Sequence, residues 1–175
     1  DYLFSISSKL RDKNIISLII GGPTQYYDYS DRNIQEIFSK VNYLVKENNL
    51  NLVVIPSMRT PKGTIEHAKI YFGNDHLVLD GVDKKAYLSA LSQSKHLVIT
   101  CDSSSMISEA ALTGKPIYIA TIPPKKSDKR FINFRKLFQE MKIVRELGEK
   151  LENWNYEKLD ETNRVANIIK DKIQL

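Results

Sequence analysis

The stretch Val98–Pro116, VITCDSSSMISEAALTGKP, reads as a strand, a turn and a helix in direct succession. It opens with β-branched residues typical of a buried strand, passes through Asp-Ser-Ser-Ser, and continues at once in a helical pattern. Such a turn leaves the first amides of the helix without acceptors and places the positive end of the helix dipole beside them. Because phosphate and sulfate groups bind at such helix ends, we expect a binder of phosphorylated small molecules.

Short runs of Ile, Val and Leu recur along the chain and are continuous rather than alternating. Segments with helical periodicity separate these runs, a pattern typical of a parallel sheet with helices on both faces. We therefore expect an α/β fold, a Rossmann-like sheet of about five strands in the order 3-2-1-4-5. The predicted strands are Ile15–Ile20, Asn51–Ile55, His76–Leu79, Leu97–Cys101 and Ile117–Ala120.

Helix ends are marked by capping residues. The helices are predicted near 30–48, from an N-cap at Thr60 with Pro61 in the first helical position, and over 83–94, 104–113, 128–141 and 160–173. A chain of 175 residues is the size of one domain, and we assign residues 1–175 to it. Since the sequence starts at Asp1, we expect a C-terminal piece of a two-domain protein, with the missing N-terminal domain as its partner.

The charge balance argues against a nucleic-acid partner. The net charge is +5, but 26 basic residues are scattered among 21 acidic ones, and only 125–136 clusters them. Nucleic-acid footprints show denser basic stripes with stacking aromatics. A single cysteine, Cys101, excludes an internal disulfide and favours a reducing compartment. We expect a cytoplasmic protein, with peripheral association with the inner membrane left open.

Ligands of open parallel sheets bind at the carboxyl ends of the strands, where the strand order reverses. In the order 3-2-1-4-5 the first and fourth strands meet at that point. The loops that follow them are Gly21-Gly22-Pro23-Thr24 and Asp102-Ser103-Ser104-Ser105. The glycines would let a ligand approach the backbone, although Gly-Gly-Pro also suits an ordinary strand-to-helix turn. It is neither a P-loop nor a GxGxxG motif.

The serines and the glutamate that follows them carry the chemical argument. One serine suffices to cap the helix, so three favour contact with an oxyanion. Glu109 lies too far into the helix to complete a capping box with any of them. Its carboxylate could accept hydrogen bonds from the two hydroxyls of a ribose, or it could simply be solvated. The candidate ligand residues here are Ser103, Ser104, Ser105, Met106 and Glu109, with Gly21, Gly22, Thr24 and Asp102 beside them.

Arg59 follows the second strand in Ser57-Met58-Arg59-Thr60-Pro61, and its planar guanidinium suits a diphosphate. A plain surface arginine is the alternative. Lys125, Lys126 and Lys129 follow the fifth strand and read as a solvated loop that adds diffuse positive potential.

Metal and catalytic signatures are missing from the sequence. The three histidines have no metal-ligand spacing, so we expect no metal, and no Gly-x-Ser-x-Gly elbow occurs. No catalytic base is identified. His67 and Asp102 are the only candidates, the first read better as a surface helix residue and the second as a turn former.

Five motifs, matched in order and spacing, carry a family resemblance. They are Gly21-Gly22-Pro23-Thr24, Ser57-x-Arg59-Thr60-Pro61, Val98-Ile99-Thr100-x-Asp102-Ser103-x-Ser105-Met106-Ile107-Ser108-Glu109-Ala110, Thr113-Gly114-Lys115-Pro116 and Trp154-x-Tyr156-x-x-Leu159-x-x-Thr162. Together they resemble the C-terminal half of the elongated-mitochondria (mitochondrial fission) family. Its bacterial relatives are described as nucleoside-diphosphate-sugar epimerases or glycosyltransferases.

The resemblance implies a GT-B arrangement in which this domain binds the sugar nucleotide. By position, Gly22 and Arg59 would approach the diphosphate, the amides of Ser103 to Met106 would bind phosphate, and Glu109 would hold the ribose. It implies no cofactor, with a nucleoside-diphosphate sugar as substrate. The leading hypothesis is therefore the donor-binding domain of a glycosyltransferase. The alternatives are an epimerase on the same scaffold and a non-catalytic interaction module, as in the plant proteins that recruit a division dynamin.

Overall fold

A single parallel sheet of six strands forms the centre of the chain. The structure is a computed structural model, and it describes residues 2–10 and 14–173. The strand order is β3-β2-β1-β4-β5-β6. The strands are β1 Ile15–Ile20, β2 Asn51–Pro56, β3 Leu77–Val78, β4 His96–Thr100, β5 Ile117–Ala120 and β6 Val144–Glu146. The helices are α1 Tyr2–Ile6, α2 Asp31–Glu47, α3 Lys62–Phe72, α4 Lys84–Gln93, α5 Ser104–Ala111, α6 Lys129–Glu140 and α7 Glu161–Ile173.

The order 3-2-1-4-5 is confirmed, and a sixth strand extends the sheet beyond β5. Strand β1 is buried at all six positions, so both faces of the sheet centre are covered, as its continuous apolar sequence predicts. The prediction of about five strands missed β6 because it has three residues and two of them, Arg145 and Glu146, are exposed and charged. It pairs in parallel with β5, from Val144 opposite Ile117.

The prediction of Thr60 as the N-cap of α3, with Pro61 as its first helical residue, is wrong. Pro61 is the N-cap of α3, without a side-chain cap, and Lys62 is the first helical residue. The Thr60 hydroxyl is engaged elsewhere, because its Oγ1 lies 2.8 Å from the Ile20 carbonyl oxygen and 2.6 Å from that of Gly21. Thr60 therefore ties the β2–α3 turn to the end of β1.

The starts of α2 and α4 follow the predicted capping chemistry, whereas Asp128, the N-cap of α6, makes no side-chain cap hydrogen bond. The Ser30 hydroxyl accepts from the Asn33 amide at the start of α2, and Asp83 accepts from the amides of Lys85 and Ala86 at the start of α4. No helix within the described residues has the length and apolar character needed to cross a lipid bilayer.

The reversal of strand order lies between β1 and β4. Ile19 of β1 pairs with Ile99 of β4, so the two strands end at the same level of the sheet. The loops that follow them, from Gly21 and from Cys101, therefore meet at the carboxyl edge.

Candidate functional site

Asp102 lies at the centre of the carboxyl edge and is fully buried. Its Oδ2 accepts from the Gly22 amide at 3.0 Å and from Nη2 of Arg59 at 2.8 Å. Its Oδ1 accepts from the Tyr29 hydroxyl at 2.5 Å. A buried carboxylate requires such partners, because desolvation without them costs several kcal/mol. Asp102 is thus the residue that joins the loops after β1, β2 and β4.

The two glycines are needed for the close approach of these loops. A Cβ on Gly21 would lie 2.1 Å from Oδ2 of Asp102, and a Cβ on Gly22 would lie 2.1 Å from the Arg59 carbonyl oxygen. The Gly21 amide donates to Thr100 Oγ1 at 2.8 Å, as the Gly22 amide does to Asp102. Both glycine amides are therefore used within the protein, and the space that each missing Cβ leaves is occupied by Asp102 or by the Arg59 backbone.

Arg59 is held in the same network. Besides the ion pair with Asp102, its Nη1 donates to the Gly22 carbonyl at 3.2 Å. The side chain is 43% exposed, so one side of the guanidinium still faces solvent. Since the buried carboxylate compensates its charge, Arg59 adds little net positive potential at the sheet edge.

Tyr29 belongs to the site although no sequence motif identified it. Its hydroxyl bridges Asp102 and Thr100, with the Thr100 Oγ1 at 3.0 Å. Burial, followed by the negative charge of Asp102, raises the pKa of Tyr29 far above its usual value. The phenol therefore remains a neutral donor at all physiological pH values.

The serine turn opens helix α5. Ser103 is the N-cap, and its Oγ accepts from the Met106 amide at 3.4 Å. Ser104 and Ser105 occupy the first two helical positions, whose amides have no acceptor within the helix. Of the three serines, Ser103 caps the helix, and Ser104 and Ser105 are partly or fully exposed.

An apolar cleft of about 280 Å³ lies on one side of α5. The turn after β2, the start of α4 and the first two turns of α5 form its walls. Glu109 stands at the rim, where its Oε2 accepts from the Tyr87 hydroxyl at 2.7 Å. The lining residues that matter here are Met58, Val82, Tyr87, Met106 and Glu109.

A second cleft, of about 370 Å³, lies on a different face of α5, between α5 and α6. We name it the α5–α6 cleft. Its lining residues are Ser104, Ser105, Ser108, Arg130, Phe131 and Phe134. Ser104 and Ser105, at the start of α5, therefore line a cleft that combines serine hydroxyls and Arg130 with two phenylalanine rings.

Two candidates from the sequence have local roles. The Thr24 hydroxyl accepts from the amides of Tyr26 and Tyr27, both at 3.1 Å, and so stabilises its own turn. His67 lies on α3 with its Nε2 at 2.8 Å from Oε1 of Gln35, and its ring packs against Phe38 outside both clefts. Within residues 2–10 and 14–173, no three His, Cys, Asp or Glu side chains come together as a metal site would need.

Solved structures show the same fold at low identity. A structure from Listeria monocytogenes, described as a "putative UDP-N-acetylglucosamine 2-epimerase", superposes with a TM-score of 0.57 at 15% identity, covering 90% of this chain and 36% of that one. A second, of MnaA from S. aureus in complex with UDP, gives a TM-score of 0.51 at 18% identity, covering 97% and 48%. Both share the parallel α/β fold of this domain.

Sequence relatives are closer. "Uncharacterized protein RP120" of Rickettsia prowazekii (strain Madrid E) is 30% identical over 171 residues, which are 93% of this chain and 48% of that protein. "Mitochondrial fission protein ELM1" of Arabidopsis thaliana is 30% identical over 111 residues, 62% of this chain and 24% of that protein. The chain thus spans about half the length, or less, of these relatives.

The family profile covers nearly the whole chain. It is described as Mitochondrial fission ELM1 and matches residues 5–173, a range that includes both loops at the sheet reversal and the whole of α5. The resemblance inferred from the motifs is therefore confirmed, and the chain belongs to the mitochondrial fission ELM1 family.

Proposed function

We propose that this chain binds a nucleoside-diphosphate sugar across the first turn of α5, as the donor-binding domain of a GT-B-type glycosyltransferase. The observation that carries the proposal is the position of Glu109. Its carboxylate stands at the rim of the apolar cleft, on the same helix whose first amides have no acceptor within the helix. These groups suit the base, the ribose and the phosphates of one nucleotide.

The apolar cleft suits a nucleobase. Met58, Val82 and Met106 offer flat apolar contact, and the volume of about 280 Å³ accommodates one ring system. Ligand sites are generally apolar with a few convergent polar groups. Glu109, an exposed residue that lines this cleft, would then meet the ribose that follows the base.

Glu109 suits the ribose. Tyr87 donates to its Oε2, while Oε1 has no hydrogen bond within the described parts of the chain. An ionised carboxylate accepts several hydrogen bonds, so the vicinal hydroxyls of a ribose can bind without displacing Tyr87. The phosphates would then reach the start of α5, where the free amides of Ser104 and Ser105 and the helix dipole favour an anion.

The relatives by fold support a uridine nucleotide as the first ligand to test. One is described as a UDP-sugar epimerase and the other was solved with UDP. An epimerase that works by proton abstraction needs a free acid or base beside the sugar. In this chain the carboxylate of Asp102 already accepts hydrogen bonds from Arg59, Tyr29 and Gly22. That engagement favours a binding role for this chain, with the acceptor side of a transferase contributed by regions outside it.

The direct test is calorimetric titration of the folded chain with UDP. We expect binding in the micromolar to millimolar range, and Glu109→Gln is expected to weaken it about tenfold, since it removes a charged acceptor of two hydroxyl groups. Glu140→Gln is the matched control, because Glu140 lies exposed on α6 and lines neither cleft. A folded chain that binds no UDP at millimolar concentration, or equal losses in both variants, would contradict the proposal.

A smaller effect is expected at Tyr87. Tyr87→Phe removes the hydroxyl that orients Glu109 while keeping the ring that lines the cleft. Burial and the hydrogen bond to Glu109 raise the pKa of Tyr87, so it is a neutral donor in the wild type. We expect UDP affinity to fall about threefold, as for an exposed hydrogen bond to a charged group. The additional substitution Glu109→Gln should then cost less than it does alone; equal costs would show that the two residues act independently.

A further inference from the structure

The charge of a diphosphate needs a cation that the protein does not already use. Arg59, the arginine expected there from the sequence, is paired at 2.8 Å with a fully buried carboxylate. Drawing its guanidinium away toward a ligand would leave Asp102 buried without a cation, which is strongly unfavourable. The compensating positive charge must therefore come mainly from another part of the carboxyl edge.

The segment between β5 and α6 supplies that charge. Lys125, Lys126, Lys129 and Arg130 lie within six residues, and none of them makes an ion pair within residues 2–10 and 14–173. The one acid among them, Asp128, is fully buried beside Arg135 and does not offset their charge at the surface.

The same segment is fixed against the loop after β1. The Lys125 amide donates to the Tyr26 carbonyl, and the Lys126 ammonium donates to the Gln25 side chain and lies over the Tyr26 ring. Phe131 packs edge-on against Tyr26 as well. The start of α6 is thereby held in place beside the sheet reversal.

Among these four cations, Arg130 is the one that lines the α5–α6 cleft. Its side chain is exposed and faces the same space as the hydroxyls of Ser104, Ser105 and Ser108. Ser104 and Ser105, whose amides begin α5, line the same cleft as Arg130. A nucleotide with its base in the apolar cleft and its first phosphate at these amides would therefore have Arg130 within the cleft that its second phosphate enters.

We infer that Arg130 binds the phosphate that joins the sugar, and that it makes the site selective for nucleoside diphosphates over monophosphates. The assignment rests on the proposed function. It identifies which of the four basic residues between β5 and α6 binds the phosphate. Arginine suits this role because its fork donates two parallel hydrogen bonds to a phosphate.

The test compares UDP with UMP by calorimetric titration of the wild-type chain, Arg130→Gln and Lys136→Gln. Arg130→Gln is expected to weaken UDP binding about tenfold, equivalent to about 1.4 kcal/mol, and to change UMP binding less than twofold. Lys136→Gln removes an equal charge from an exposed position of α6 that does not line the cleft, and it should leave both affinities unchanged. Because Arg130 is exposed, its substitution is expected to leave the fold intact.

Three outcomes would overturn the assignment of Arg130 while leaving the proposed function in place. Unchanged UDP binding in Arg130→Gln would show that the residue makes no contact. Equal losses for UDP and UMP would place it at the first phosphate, and an equal loss in Lys136→Gln would reduce it to a general field effect. If the wild-type chain binds neither nucleotide, the proposed function fails first and the assignment with it, so the two failures are distinguishable.

Discussion

Gly22→Ala is expected to lower the free energy of unfolding by about 3 kcal/mol. The added methyl carbon would lie 2.1 Å from the Arg59 carbonyl oxygen and 2.4 Å from its carbonyl carbon, which are backbone atoms without a rotamer to change. The β2–α3 turn must therefore move as a whole. That movement would pull Arg59 from Asp102 and the Thr60 hydroxyl from the end of β1.

A thermal melt followed by circular dichroism measures this effect. For a domain of this size, a loss of about 3 kcal/mol corresponds to a midpoint lower by roughly 6 to 12 °C. Gly63→Ala is the matched control, because a Cβ there meets nothing within 4 Å and the residue lies in the first turn of α3. Alanine favours the helix, so the control should be neutral or more stable by up to about 1 kcal/mol. Equal midpoints for both variants would contradict the close approach of the two turns.

The positions of these turns could be predicted from the sequence, whereas their contacts could not. Continuous apolar runs identify buried parallel strands because both faces of each strand must be covered, and Ile15–Ile20 and Ile117–Ala120 were predicted to the residue. Strand order then placed the two loops together. The strand β6 has three residues and only one of them, Val144, is buried, so no apolar run in the sequence marks it.

The partners of the candidate site residues depend on tertiary structure. Arg59 and Asp102 are 43 positions apart, and nothing in the local sequence of either shows that one neutralises the other. The same holds for Tyr87 and Glu109, which are 22 positions apart on different helices. The sequence therefore identifies residues at the carboxyl edge of the sheet. Only the structure shows which of them hold the loops together and which of them face open space.

The second large effect on stability is expected at Arg59. Arg59→Gln is expected to lower the free energy of unfolding by about 2 to 3 kcal/mol, because it leaves the fully buried Asp102 carboxylate without a cation. The figure is below that of a wholly buried pair, since 43% of the Arg59 side chain is exposed and water screens the interaction. Urea denaturation at pH 7 measures the loss.

Arg32→Gln is the matched control for this experiment. Arg32 also pairs with a carboxylate, that of Glu36, but both side chains are largely exposed. Removing such a surface pair should change stability by less than about 1 kcal/mol. A loss for Arg59→Gln no larger than that for Arg32→Gln would show that the Asp102 pair does not stabilise the fold.

A double-mutant cycle with Asp102→Asn separates the stabilising role of Arg59 from the ligand role first expected for it. Asparagine keeps the size of the side chain and an acceptor for the Gly22 amide but removes the buried charge. If Arg59 acts mainly by pairing with Asp102, the double variant should be more stable than the sum of the two single losses predicts, by about 1 kcal/mol or more. UDP affinity should then respond less to Arg59→Gln than to Arg130→Gln. Additive losses, together with a large drop in UDP affinity for Arg59→Gln, would instead assign the guanidinium to the ligand, because a cation released from Asp102 can serve the phosphates directly.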